Sequence, residues 1–219
     1  MASKAKSSTR LEARKVLSKN KKIGLSHFST KKREQIVQAA LDTFLELGYQ
    51  GTSMNLIAER AGVIKQTIYS HFSDKEGLFK AIIEKVTLQS VDLQFGGPIE
   101  NMFDEDPRVT LKRFGKALIG RQHDPSYIAL LRTIIGESRS FPELARLYTA
   151  TVIRPGVQLL TGYFKRNPRL QHKDLEAIAR IFCGSIINNI ITQEILNGRQ
   201  FLPFESERIV ETLIDMILP

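Results

Sequence analysis

The chain is 219 residues long, carries a formal charge of +9 and contains a single cysteine, Cys183. One cysteine cannot close an intramolecular disulfide and suits a reducing cytoplasm, where this residue is expected as a small buried hydrophobe. No apolar run near the start predicts a secretory signal, and no uninterrupted run of eighteen apolar residues predicts a membrane span.

The positive charge is not spread evenly. Residues 1–33 hold eleven Lys and Arg against the one acid Glu12, a net of +10 that exceeds the total for the whole chain. Rich in Lys, Arg and Ser, residues 1–28 cannot bury enough apolar surface to fold alone and are predicted to form a basic, flexible arm. Such an arm follows phosphates or enters a minor groove; a solvated tail or a transit peptide shares the composition.

From residue 29 the pattern turns helical. Ile36, Ala40, Phe44 and Leu47, flanked by Val37 and Leu41, form one apolar stripe that stops at Gly48. Thr52 or Ser53 then offers a hydroxyl to a new first turn, and Arg60 with Gly62 supplies a cation and a glycine at its end. Between Val63 and Phe72, Val63, Ile68 and Phe72 face one way, while Lys65, Gln66, Thr67, Tyr69 and His71 point elsewhere. Two short helices joined by a glycine-containing turn are the pattern of a helix-turn-helix, whose second helix reads base edges in the major groove. The preceding helix would brace them, since helices this short are marginal alone. A plain hairpin inside a bundle is the competing assignment, and it gives no reason for so many outward polar side chains.

Residues 31–79, with Phe44, Gly48, Tyr49, Gly51, Thr52, Ile57, Ala58, Ala61, Gly62, Val63, Tyr69, Phe72, Lys75, Leu78 and Phe79 in order and without a gap, resemble the amino-terminal DNA-binding domain of the TetR family of bacterial transcriptional regulators. The stretch GESRSFPELARLYTATVIRPGVQLLTGYFKR is similar to carboxy-terminal domains of the AcrR-like and AefR-like branch. Two positions depart from the family pattern. Ile64 stands where a small polar residue caps the recognition helix, an omission that costs about 1 kcal/mol, and Gln66 stands where Gly or Ala is common. Lys65, Gln66 and Thr67 are expected at base edges, Gln66 because its amide pairs with adenine. Thr52, Ser53, Tyr69, His71 and Lys75 are expected at phosphates.

The remainder reads as helix, giving an all-α fold: a three-helix helix-turn-helix head over 29–75 and a larger helical ligand-binding and dimerisation domain over 76–219. A long amphipathic stretch runs from Lys75 to Phe95, until Gly96, Gly97 and Pro98 break it. Further helices are predicted at 107–122, 125–138, 142–166, 173–197 and 205–218, set off by Pro107, Pro125, Pro142, Asn167-Pro168 and the Gly198–Pro203 stretch. The last two are apolar almost all round, which predicts burial against a second copy through Ile178, Phe182, Ile186, Asn189, Ile190, Leu213 and Ile217. A core within one chain is the alternative, and the family resemblance implies the homodimer.

The resemblance also implies a pocket for a largely apolar small molecule within about 88–170. Candidates to line it are Phe95, Phe103, Phe114, Leu118, Tyr127, Leu131, Ile134, Ile135, Glu137, Tyr148 and Val152, residues that equally suit a filled core. No enzyme is expected: His27, His71, His123 and His172 are scattered, and HExxH, CxxC and nucleophile-elbow patterns are absent from the sequence. Neither a metal nor a cofactor is predicted. The functional expectation is a cytoplasmic, nucleoid-associated regulator, a repressor released from a palindromic double-stranded DNA operator by a small molecule. The alternative is a non-inducible, weakly sequence-specific architectural DNA-binding protein.

Overall fold

Asp followed by Pro starts two helices of the larger half in the same way. In the computed structural model, which describes residues 30–87, 105–168, 170 and 174–218, the Asp106 carboxylate accepts from the Arg108 amide and that of Asp124 from the Ser126 and Tyr127 amides. Pro107 and Pro125 follow, where a missing N–H costs nothing. Ser53 and Asp174 cap two more helices through the Leu56 and Ala177 amides.

In chain order the elements are α1 (30–51), α2 (Met54–Arg60), α3 (Lys65–His71), α4 (Lys75–Thr87), α5 (Pro107–Gly120) with a 3-10 turn Arg121–His123, α6 (Pro125–Glu137), α7 (Pro142–Tyr148), a π turn Thr149–Ile153, α8 (Arg154–Arg166), α9 (Leu175–Ile190) with a π turn Ile191–Ile195, a 3-10 turn Gly198–Gln200, and α10 (Ser206–Ile217). Among the described residues there is no strand. The arm over 1–28, the Leu88–Phe95 continuation of α4, the break at Gly96–Pro98 and the candidates Phe95 and Phe103 lie outside the described residues.

The helix expected over 142–166 is divided by the π turn. Pro155 has no N–H to offer Thr151, and its ring would crowd that carbonyl, so the turn ahead of it widens.

Two apolar cores hold the chain. The first runs from the head, through Ile36, Phe44, Ile57 and Ile68, across Phe79 and Ile83 of α4, to Tyr127, Leu131, Ile134 and Leu144. The second joins Leu111, Phe114, Leu160, Phe164, Phe182, Ile186, Ile190, Val210 and Ile214, from α5, α8, α9 and α10. This corrects the predicted dimer face. Phe182, Ile186 and Ile190 are fully buried within one chain, Leu213 and Ile217 nearly so, and Ile178 packs on the same core. Asn189 is buried too, its amide donating to Ser206 Oγ at 2.9 Å. Helix α5 covers the side of α9 and α10 that was assigned to a partner. Their outward sides instead expose Ile181 and Met216.

By length and composition Leu175–Ile195 matches a membrane-crossing helix, contrary to the sequence expectation. Its Ala179, Phe182, Ile186 and Ile190 face is packed inside the second core.

Gly115 sets how closely α5 and α10 approach, because a Cβ there would lie 2.6 Å from Val210 Cγ1. Alanine at this position gains about 1 kcal/mol of helix propensity but overpacks a stiff β-branched neighbour at about 1–3 kcal/mol. Gly115→Ala is therefore expected to lower stability in urea unfolding. In a double-mutant cycle Val210→Ala should recover part of that loss.

Candidate DNA interface and effector cavity

Helix α1 braces the turn between the two short helices from behind. Gln35 Nε2 donates to Ala61 O at 2.7 Å, Arg60 pairs with Glu46, and the Arg33 guanidinium lies 5.1 Å from the Phe72 ring centroid. Gly62 makes the turn at φ 60°, a conformation open to glycine at no steric cost. With Ile68 and Phe72 buried, Lys65, Gln66, Tyr69 and Ser70 are left on the outer side, Lys65 resting 5.8 Å over the Tyr69 ring. Thr67 and His71 are half-buried at the edges of that face. Ile64 begins α3 without a side-chain cap and is 69% exposed, as its lack of a hydroxyl predicts.

Two expected phosphate ligands are placed otherwise. Thr52 is buried, its hydroxyl donating to Gly48 O at 2.7 Å and to Thr43 O at 3.3 Å, so the Thr52 side chain ties the end of α1 and cannot face a phosphate. Ser53, exposed, provides the cap of α2 instead. Lys75 is turned inward: its ammonium donates to Tyr49 O and sits 4.0 Å over the Tyr49 ring. Desolvation there lowers its pKa, against the opposing pull of Glu137 and Glu143.

Glu137, expected in the pocket, belongs to this same cluster. Its two carboxylate oxygens accept from the Tyr49 amide at 3.0 and 3.1 Å. The Tyr49 residue is thus held at both of its backbone polar groups, the N–H by the end of α6 and the C=O by the start of α4. Gly48 permits this approach twice over, with φ at 69° and with Glu137 Oε1 2.5 Å from where a Cβ would stand. Phe44, Phe79 and Phe141 pack around the Tyr49 ring at 5.2–5.5 Å centroid distances among neighbouring rings. Burial pushes the Tyr49 phenol up to about 12, with Glu143, Glu76 and Asp74 adding to it.

A separate cavity of about 390 Å³ opens between α5, the π turn, α8 and α9. Phe114, Leu118, Tyr148 and Val152 line it, as expected from the sequence, together with Arg121, Thr151, Cys183 and Ile187, which were not foreseen. Arg121 continues the Phe114 and Leu118 helix face at i, i+4 and i+7, the spacing that could have signalled it. Of the other candidates, Leu131 and Ile134 fill the first core and Ile135 is exposed. Tyr127 lies just behind the wall, its hydroxyl 3.1 Å from that of Tyr148. Burial raises the Cys183 thiol to about 11 and drives the Tyr148 phenol well above its usual value, and in both cases the Arg121 charge opposes the shift. Among the described residues no group of three or more His, Cys, Asp or Glu is arranged for a metal.

Residues 36–82 match the family of bacterial regulatory proteins known as tetR, and residues 109–219 match the C-terminal domain of AefR-like transcriptional repressors. The chain belongs to the TetR family. Escherichia coli RutR, an HTH-type transcriptional regulator, is 30% identical over 139 residues, covering 61% of this chain and 55% of RutR, so the match spans little more than half of that relative. Proteus mirabilis BetI, also an HTH-type regulator, is 25% identical over 202 residues, 90% of this chain and 95% of BetI. A solved TetR-family regulator from Mesorhizobium loti is 26% identical with a TM-score of 0.68, covering 87% of this chain and 96% of that one. The TetR-family relatives are transcriptional regulators rather than enzymes.

Within this TetR-family fold the Tyr49 clamp has a measurable worth. Glu137→Ala leaves the buried Tyr49 amide without its acceptor and is expected to cost about 1–3 kcal/mol in chemical unfolding. Glu137→Gln, which keeps one acceptor oxygen, should cost less.

Proposed function

We propose that the protein is a repressor that two copies carry to a palindromic operator and that a small molecule in the 390 Å³ cavity releases. The observation that carries this is the placement of α4. Its first residue, Lys75, holds the head at Tyr49, and the carbonyl of its last described residue, Thr87, lies 3.4 Å from Arg121 Nη2 at the cavity wall. One helix therefore touches both the reading head and the effector chamber. An occupant that prefers a shifted α4 lowers operator affinity by its differential binding to the two arrangements.

Twofold pairing sets two heads about one helical turn apart, or a multiple of it. The outward sides of α9 and α10, where Ile181 and Met216 are exposed, are the surface on which a second copy would add to the bundle. Lys65, Gln66 and Thr67 take the base-edge role, while Ser53, Tyr69 and His71 are placed at the margin for phosphates, and the basic arm of residues 1–28 reaches the adjacent duplex. Such a regulator works in the cytoplasm, at the nucleoid.

Selection from a random duplex pool tests the reading directly, with affinities followed by fluorescence anisotropy. The expected outcome is an enriched inverted repeat. Gln66→Ala should then change preference at one position of each half-site by about 1–3 kcal/mol. Recovery of no preferred sequence, with steep salt dependence alone, would favour an architectural binder instead. Deleting residues 2–28 is expected to lower affinity most at low salt and to flatten the salt slope; an unchanged slope would reduce the arm to a tail.

A further inference from the structure

We propose that the effector is an amphipathic carboxylic acid, its carboxylate held by Arg121 and Tyr148 and its apolar body lying against Phe114, Leu118, Val152 and Ile187. This rests on the reading of the cavity as the effector site and names the chemical class it accepts.

Arg121 carries the argument. It is 7% exposed, yet its guanidinium has only one long hydrogen bond, 3.4 Å to Thr87 O, and the face of the Tyr127 ring at 5.6 Å. Its Nε has no partner, and among the described residues no carboxylate lies within ion-pair distance of it. A buried cation left without a counter-charge is strongly unfavourable unless something else supplies one. Among the described residues the cavity wall that holds it is otherwise mostly apolar and includes no Asp or Glu. Its second cation, Arg180, is exposed and already paired with Glu176 at 2.7 Å. A neutral apolar occupant would bury the unpaired charge further, and a cationic one would be repelled. An anion on an apolar body fits both parts of the chamber.

The neighbouring groups point to a carboxylate. A planar guanidinium matches it with two parallel hydrogen bonds. Either hydroxyl of the Tyr127 and Tyr148 pair can donate across their 3.1 Å contact, and with Tyr127 as donor the proton of Tyr148, which lines the cavity, is left for a ligand. Burial keeps that phenol protonated and hence a donor. Among the described residues the facing charged and titratable groups, Arg121, Tyr148, Cys183 and Arg180, include two cations and two neutral groups, with no competing anion.

The same guanidinium explains how such a ligand would act. Thr87 is the last described residue of α4, and its carbonyl is the only protein acceptor that Arg121 has among the described residues. A full carboxylate is a stronger partner for Arg121 than a single carbonyl at 3.4 Å. Acid binding therefore draws the cation away from the Thr87 carbonyl of α4, the helix whose first residue holds the reading head.

The full-length protein is to be titrated by calorimetry with decanoate and a naphthoate, and with decanol and naphthalenemethanol as uncharged counterparts. Cys183, on the cavity wall, locates the site through its rate of alkylation in mildly alkaline buffer. At least one acid is expected to bind about tenfold or more tighter than its alcohol, a difference of about 1.4 kcal/mol, and to slow Cys183 alkylation. Arg121→Gln should lose the preference for acid while still binding the alcohol, which shows that the cavity has survived the change. The proposal is overturned if acid and alcohol bind alike, if Arg121→Gln keeps the preference, if Cys183 is not protected, or if decyl phosphate is strongly preferred to both acids. Addition of the bound acid to the operator complex is a separate measurement. Binding without release would leave the ligand class standing and refute the release mechanism.

Discussion

The peptide groups of Tyr49 are where the two halves of this protein are joined. Helix α1 has to end where the head meets the rest of the chain, and ending a helix in a buried place exposes polar backbone that water cannot reach. The Glu137 carboxylate takes the amide and the Lys75 ammonium takes the carbonyl. Both partners come from helices of the larger half or its connection, so the orientation of the head is tied to α6 and α4. Gly48 makes the contact sterically possible, and the rings of Phe44, Phe79 and Phe141 exclude water around it.

Helix α4 turns this local clamp into a long-range one. It is buried along one side by Leu78, Phe79, Ile82, Ile83 and Val86, which makes it part of the first core and not a loose connector. Lys75 at its start reaches the Tyr49 carbonyl, and the Thr87 carbonyl lies 3.4 Å from Arg121 Nη2. The π turn on the cavity wall is the opposite kind of element. Its wider geometry, imposed by Pro155, leaves Thr151, Val152 and Ile153 facing a space that an ordinary helical turn would have narrowed.

Much of the head was legible from residues alone. The stripe Ile36, Ala40, Phe44, the glycine stop at Gly62 and the inward pair Ile68 and Phe72 all follow local periodicities, and the structure places them as those periodicities require. The missing cap at Ile64 was legible for the same reason. Thr52, Lys75 and Glu137 were not. Each has a side chain suited to water or phosphate, and each is instead used by a backbone group that is remote in the sequence or hidden by a fold not yet formed. For Glu137 the partner is 88 residues away. The pocket was half legible: Phe114, Leu118, Tyr148 and Val152 line it, whereas Arg121 was passed over because a lone arginine after an apolar helix looks like an ordinary cation at a carbonyl end.

The sequence by itself determined most of the helices and the helix-turn-helix, because these depend on spacings of three and four residues and on the φ preferences of Gly and Pro; the stop expected at Gly48 falls instead at residue 51, and the 142–166 helix is divided. It also predicted that the apolar stripes of α9 and α10 would be buried. Only the tertiary structure decided what covers them: α5 and α8 of the same chain pack on the Phe182, Ile186 and Ile190 face, and Gly115 sets the approach of α5 to α10. An apolar face specifies that it will be buried and says nothing about the partner, since hydrophobic attraction has no direction. Which charges stand beside which backbone groups is likewise a matter of three-dimensional proximity, and the Tyr49 clamp and the solitary Arg121 exist only once the chain has folded.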